Sequence, residues 1–319
     1  MNCDIFGLKY LTYNSPSSVV REDGMSLRDY LAYDMRVKLG VVRENIKDAV
    51  RRRKTNAMFF CIPEFYWNVP WDYIYSADEI NELFEFYFNE LSLNLKSLME
   101  EFQVVDHDKF VFIAGSVALL LEVNSFDNIH YEAINYSLVV SNFTESGCGS
   151  EISMWPKRFV SKIDFGEQNG EDEDYRYFTL GNDLKIDVVK KGDVVAEHNG
   201  TDGYGSRLNN VLFEKIPFSI NLCVDYREVL SGERNSELAE PKSKVDFLIS
   251  CGMPYSEDHI YPESVIYSVR NDGYPTMAGV EVRRVENGRL SEKMDITDNY
   301  GDLYHWLLDV SEMKEVMHG

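Results

Sequence analysis

Residues 58–67 read MFFCIPEFYW, an apolar run that ends on a carboxylate. Met58 to Ile62 suit the middle of a sheet, and only Pro63 separates them from Glu64. Two readings compete. Most acids at a strand end are simply the first solvated residue, whereas an acid kept partly buried there has its pKa lifted towards neutrality and can serve as a base.

The flanking sequence supports the sheet. Between Leu27 and Arg53, Leu31, Met35, Leu39, Val42, Ile46 and Val50 recur at steps of three and four, which predicts an amphipathic helix lying on a sheet. Residues 77–102 repeat the pattern, with Asp78 and Glu79 opening the helix where acids suit its dipole. DIFGLKYLTY (4–13) and KFVFIAGSVAL (109–119) read as strands. YEAINYSLVVSN (131–142) and SEISMWPKRFVSKIDF (150–165) read as antiparallel neighbours, and residues 166–215 as a polar excursion over the surface. Strand character returns in PFSINLCVDY (217–226) and VDFLISC (245–251), followed by a helix and a strand within 263–284 and a final GDLYHWLLDV. Helices alternating with strands, then strand-rich segments, predict an α/β protein with one mixed sheet or two sheets between helices. No linker divides residues 1–319, so a single domain is expected, with a polar insertion at about 182–215.

With 44% hydrophobic residues, the 319-residue chain can bury a large core. Its formal charge of −22 repels phosphate backbones and anionic lipid, so neither nucleic acid nor membrane is expected as a partner. No apolar stretch approaches a bilayer span and the N-terminus lacks a signal pattern, which predicts a cytoplasmic protein. The five cysteines show no CxxC or Cys/His spacing, so each is expected as a free thiol and no metal or cofactor is called for. The six histidines are scattered singly, and surface positions are expected for them.

A second stretch matches the first. In SINLCVDYRE (219–228), the apolar strand FSINL delivers Cys223, followed by Asp225 and Arg227. Strand ends are where α/β sheets gather their sites, because the ladder holds the backbone while the tip stays accessible. A thiol attacks only as thiolate and needs a base or a cation beside it. No histidine has a strand-end context, whereas Glu64 does. Asp225 and Arg227 are expected to form ion pairs that fix the turn, Cys61 and Cys251 to be core, and Trp67, Trp71 and Tyr73 to be core or pocket lining.

These pieces resemble the nitrilase superfamily of carbon–nitrogen hydrolases, whose catalytic set is glutamate, lysine and cysteine in that order. FFCIPEFYW resembles the family's apolar strand and Pro-Glu, VSKIDF its Lys-Ile-His-Leu strand, and INLCVDYRE its Ile-Cys-Tyr-Asp-x-Arg elbow. Softer likenesses are FVFIAGS, INYSLVV, YRYFTLGND and VDFLISCGMP.

The resemblance implies a four-layer αββα sandwich in which Glu64 is the general base, Cys223 the nucleophile and Lys162 the cation that stabilises the oxyanion, with the Val224 N–H as a second donor. Lys157, in WPK, is the alternative lysine. Family members often carry a second glutamate that orients the substrate; Glu173, ahead of the aromatic turn, is the first choice and Glu167, in FGE, the other. The implied activity is cleavage of a small-molecule amide, carbamoyl compound or nitrile through a thioester, by a homodimer or larger homo-oligomer. The rivals are an inactive sandwich that binds without turnover, and an acyltransferase using the same triad.

Overall fold

In the computed structural model, residues 1–13, 19–104, 106–125, 128–144, 147–190, 216–228 and 243–311 are described. They form two sheets packed face to face with helices over the first. Strands β1 (Asn2–Leu8), β2 (Ala57–Ile62) and β3 (Lys109–Ala114) are parallel neighbours at the centre of the larger sheet. Three further strands follow: β4 (Val117–Ser125), β5 (Asn128–Thr144) and β6 (Gly147–Pro156). Of these, β5 runs antiparallel to β3 and also pairs with β4 and β6. The second sheet contains β10 (Phe218–Leu222), β11 (Val245–Ser250), β12 (Tyr267–Asp272), β13 (Gly279–Glu286) and β14 (Arg289–Lys293), in that order.

The run AMFFCI is apolar throughout because both faces of its strand are covered. Met58, Phe60 and Ile62 pack under helices α1 (Leu27–Arg52) and α2 (Ala77–Glu100), while Ala57, Phe59 and Cys61 enter the core shared with the second sheet. Phe218, Ile220 and Leu222 of β10 and Val245, Phe247 and Ile249 of β11 supply the opposing half of that core. At one corner the sheets approach so closely that a Cβ on Gly7 would lie 2.5 Å from a methyl of Val280. The α/β sandwich expected from the sequence is therefore present. The outer face of the second sheet is covered by the short helix α3 (Val224–Glu228) and by loop residues including Tyr261 and Val265; residues 229–242 lie outside the described set. Tyr226, Tyr261 and a buried Asp246 form a polar network on that face.

The structure departs from the sequence pattern at several elements. KFVFIAGSVAL is two strands, not one, broken at Gly115 and Ser116. The segment 150–165 is strand only to Pro156; Lys157 to Asp164 is a loop. Residues 166–190, expected as a surface excursion, form β7 (Glu167–Glu171), β8 (Tyr175–Thr179) and β9 (Lys185–Val189), which extend the first sheet beyond β5. The remaining expected insertion, 191–215, lies outside the described residues. The helix expected within 263–284 is replaced by strands β12 and β13. The C-terminal GDLYHWLLDV forms β16 (Leu303–Asp309), antiparallel to β1 and flanked by β15 (Asp298–Tyr300). His130, His259 and His305 are buried rather than on the surface; His305 pairs with Asp4 at 2.7 Å, and burial lowers the His259 pKa to about 3, so that it stacks as a neutral ring on Tyr226.

Candidate active site

Glu64 begins a tight turn at the carboxyl end of β2, with its side chain fully buried. The turn is fixed from β3 and β4. Ser116 accepts from the Phe65 N–H through its hydroxyl at 3.1 Å, and the Trp67 indole donates to the Ala114 carbonyl at 2.6 Å. Phe65 carries a left-handed φ of 62° and Gly115 one of 59°. A Cβ on Gly115 would lie 2.4 Å from the Pro63 carbonyl oxygen, so only glycine lets the two strand ends meet there.

Cys223 is the residue after β10. Its backbone N–H donates to the Ile249 carbonyl at 2.9 Å, extending the parallel ladder by one bond, and its φ of 50° turns the chain at once into α3. A non-glycine residue held left-handed at a strand-to-helix turn stores strain of about 1–3 kcal/mol, a cost that clusters at functional sites. Cys223 is 3% exposed; its thiol donates to the Cys251 carbonyl at 3.8 Å and feels the charge of the nearby Glu64 carboxylate.

The ammonium in this cluster belongs to Lys157. Its Nζ lies 2.9 Å from Glu64 Oε1 and 2.6 Å from Asp164 Oδ1, with all three side chains at most 1% exposed. Lys157 follows Pro156, the last residue of β6, and its N–H donates to the Asn135 carbonyl at 2.7 Å. It therefore shares a strand face with Trp155, which packs in the core between the sheets, and its ammonium reaches Glu64 beyond the end of β2. Lys162, the lysine nominated from the resemblance, is exposed in the loop beyond. The physical reason is that the strand stops at Pro156, so the residues that resembled a family strand around Lys162 are not strand here.

Asp164 is a member of the cluster that the sequence does not single out. Its carboxylate also accepts from the Ser161 hydroxyl at 2.6 Å and the Ser161 N–H at 3.0 Å, which closes the loop back on Lys157. The available signal was the one that marked Glu64, an acid in apolar company, here Ile163 and Phe165. Glu173 is exposed at the turn between β7 and β8. Glu167 is exposed at the start of β7, where it lines a large cavity of about 760 Å³ together with Phe65, Trp71 and Tyr73. Trp67, by contrast, is core.

Asp225 links the two halves of the site. Two residues beyond Cys223, it accepts the backbone N–H groups of Arg158 and Phe159 at 3.0–3.1 Å. Its ion-pair partner is Arg158 at 3.5 Å, and the Arg158 guanidinium also donates to Asn221 at 3.1 Å. The expected tying of the elbow by Asp225 is thus observed with Arg158, from the lysine loop.

Electrostatics set the resting protonation. Burial, reinforced by Asp164 and only partly offset by Lys157, lifts the Glu64 carboxyl to about 7. Burial works against the Lys157 ammonium, yet Asp164 and Glu64 outweigh it and hold the amine firmly protonated. The Cys223 thiol is pushed well up, first by burial and then by Glu64, with Lys157 opposing. The cluster therefore holds a neutral thiol, a carboxyl able to take a proton near neutrality, and a fixed cation.

No protein-family model matches the chain, and no curated protein matches it. Among solved structures the chain is similar to a carbon–nitrogen hydrolase from Helicobacter pylori G27, at 12% identity over 97% of this chain and 90% of that one, with a TM-score of 0.47.

Proposed function

We propose that this protein is a thiol hydrolase of small-molecule C–N bonds, acting on an amide or carbamoyl compound in preference to a nitrile. The observation that supports the reading is the convergence of Cys223, on a strained strand-to-helix turn, with the buried Glu64–Lys157 pair. Glu64 takes the Cys223 proton as sulfur attacks the carbonyl carbon, and Lys157 with the Val224 N–H stabilises the oxyanion. On collapse the proton passes from Glu64 to the leaving amine, which departs and leaves a thioester. Glu64 then deprotonates water, whose attack on the thioester releases the acid and restores the thiol. Asp164 keeps Lys157 aimed and protonated throughout, so the cation need not reorganise between the two steps.

The test is release of ammonia from a panel of primary amides and ureides, with iodoacetamide labelling of the thiols. Turnover abolished in Cys223→Ser, and one equivalent of label on Cys223 before Cys61 or Cys251, are expected. Ammonia release that persists in Cys223→Ser would overturn the assignment.

A homodimer or larger assembly belongs to the same reading. Phe88 on α2 is 53% exposed and its ring stacks on that of Phe84 one turn earlier, at 5.6 Å between centroids, apolar surface that suits a second copy. Sedimentation as a monomer at micromolar concentration would contradict it. A cytoplasmic location is proposed as well: Cys3, Cys61, Cys223 and Cys251 are all free, as a reducing compartment maintains them. Recovery of the protein in a secreted or membrane fraction would count against this, although no helix among the described residues is long and apolar enough to cross a membrane.

A further inference from the structure

Beside Lys157 lies a second cavity, of about 420 Å³, lined by Lys157 and Asp164, by apolar side chains such as Ile134, Phe159 and Val160, and by the charged Arg158, Glu171, Arg176 and Lys190. Asn135 lines it too. This residue is only 6% exposed, yet among the described residues neither its amide nitrogen nor its carbonyl oxygen has a hydrogen-bond partner. Its backbone carbonyl accepts the Lys157 N–H at 2.7 Å, so its side chain stands one strand over from the ammonium, on the same face of the sheet. A buried amide that forgoes both a donor and an acceptor bond is costly, and such groups call for an explanation. Ser137, two residues along the same face, is also unpaired, but it does not line the cavity.

We infer that Asn135 is a substrate-reading residue, and that the cavity takes an apolar molecule bearing a primary carboxamide or ureido group. Such a group presents a carbonyl and an N–H side by side, so it satisfies both orphaned atoms of Asn135 with two parallel hydrogen bonds. An ester of the same shape satisfies only the donor, and leaves the Asn135 oxygen facing its alkoxy oxygen. This inference rests on the function proposed above, because the cavity that holds the carboxamide is lined by Lys157 and Asp164, the ammonium and carboxylate of the proposed catalytic cluster.

The experiment uses the full chain carrying Cys223→Ala, which cannot turn over, with benzamide, phenylurea and methyl benzoate as probes in calorimetry or ligand-observed NMR. Benzamide and phenylurea are expected to bind about tenfold or more tighter than methyl benzoate, and Asn135→Leu is expected to erase that difference. Asn135→Leu should melt no lower than its parent, because an apolar side chain of similar shape replaces a polar one without partners. Equal binding of amide and ester, no binding of either amide probe, or unchanged selectivity in Asn135→Leu would each overturn the inference. Ammonia release from amides by Asn135→Leu at the parent's kcat/KM would do so as well, while leaving the hydrolase reading intact. Binding through Asn135 without ammonia release by the unmutated protein would instead sink the hydrolase reading and keep the site.

Discussion

Lys157 and Lys162 are five positions apart in one polar stretch, and geometry separates them completely. The first has its ammonium between two buried carboxylates, while the second is in solvent. Lys157→Ala is therefore expected to lower kcat/KM by about 10²–10³-fold, the scale of an oxyanion donor, and Lys162→Ala to leave it unchanged. Steady-state kinetics on one amide decide the matter, and equal losses in both variants would contradict the assignment. The pH dependence belongs to Glu64. A base must be unprotonated to accept the thiol proton, and the Glu64 pKa is raised to about 7, so kcat/KM should climb from pH 5.5 to 8 and level off above that. A profile already flat at pH 5.5 would mean that another group is the base. The acid at the end of MFFCIPEFYW was legible as unusual in the sequence; the proximity of Asp164, one source of its raised pKa, was not, because that contact depends on how the loop after Pro156 closes.

At the scale of elements, the site is an agreement between two strand ends and a loop. Asp225 on α3 holds the N–H groups of Arg158 and Phe159, which keeps Lys157 over the elbow. Asp225→Ala should lower kcat by about 10²-fold through misplacement of the ammonium, while KM changes little, and Asp225→Asn, which retains one acceptor oxygen, should recover part of the loss. A KM effect without a kcat effect would place Asp225 in substrate binding instead. On the outer face of the second sheet, Asp246 of β11 accepts from Ser219 and Asn221 at 2.8–2.9 Å. Burial raises its pKa to about 7, well above the usual aspartate range. A carboxyl raised on folding contributes stability that is complete below its unfolded pKa and is lost as pH rises through the folded one. Thermal melts should therefore show a loss of about 2–4 kcal/mol between pH 4 and 8 that Asp246→Asn lacks. Identical pH profiles for the two proteins would refute this. The strands β2, β3, β5, β10 and β11 were legible from their apolar runs. The break at Gly115 was not, since GSVAL continues the apolar pattern and only the close approach of the Pro63 carbonyl demands the turn.

For the whole molecule, the decisive contact is sheet against sheet. Phe59 packs on Phe218 and Phe247 of the second sheet, with ring centroids 5.4 and 5.2 Å away. Phe59→Ala should cost about 3–5 kcal/mol in denaturant unfolding, since the two sheets cannot both collapse into the space left. A loss below 1 kcal/mol would mean that the sandwich core is not where the stability resides. By itself the sequence determined the apolar strands and amphipathic helices, and the acid and the thiol that end two of those strands, because periodicity and composition are local properties of the chain. It also determined a cysteine turn shared with an Asp two residues on. Only the tertiary structure decided which lysine meets Glu64, that Asp164 joins it, that residues 167–189 extend the sheet, and that Asn135 has no side-chain partner among the described residues. Each of those depends on where separate segments end and what faces them across the sandwich, and the chain does not encode that distance in any single stretch.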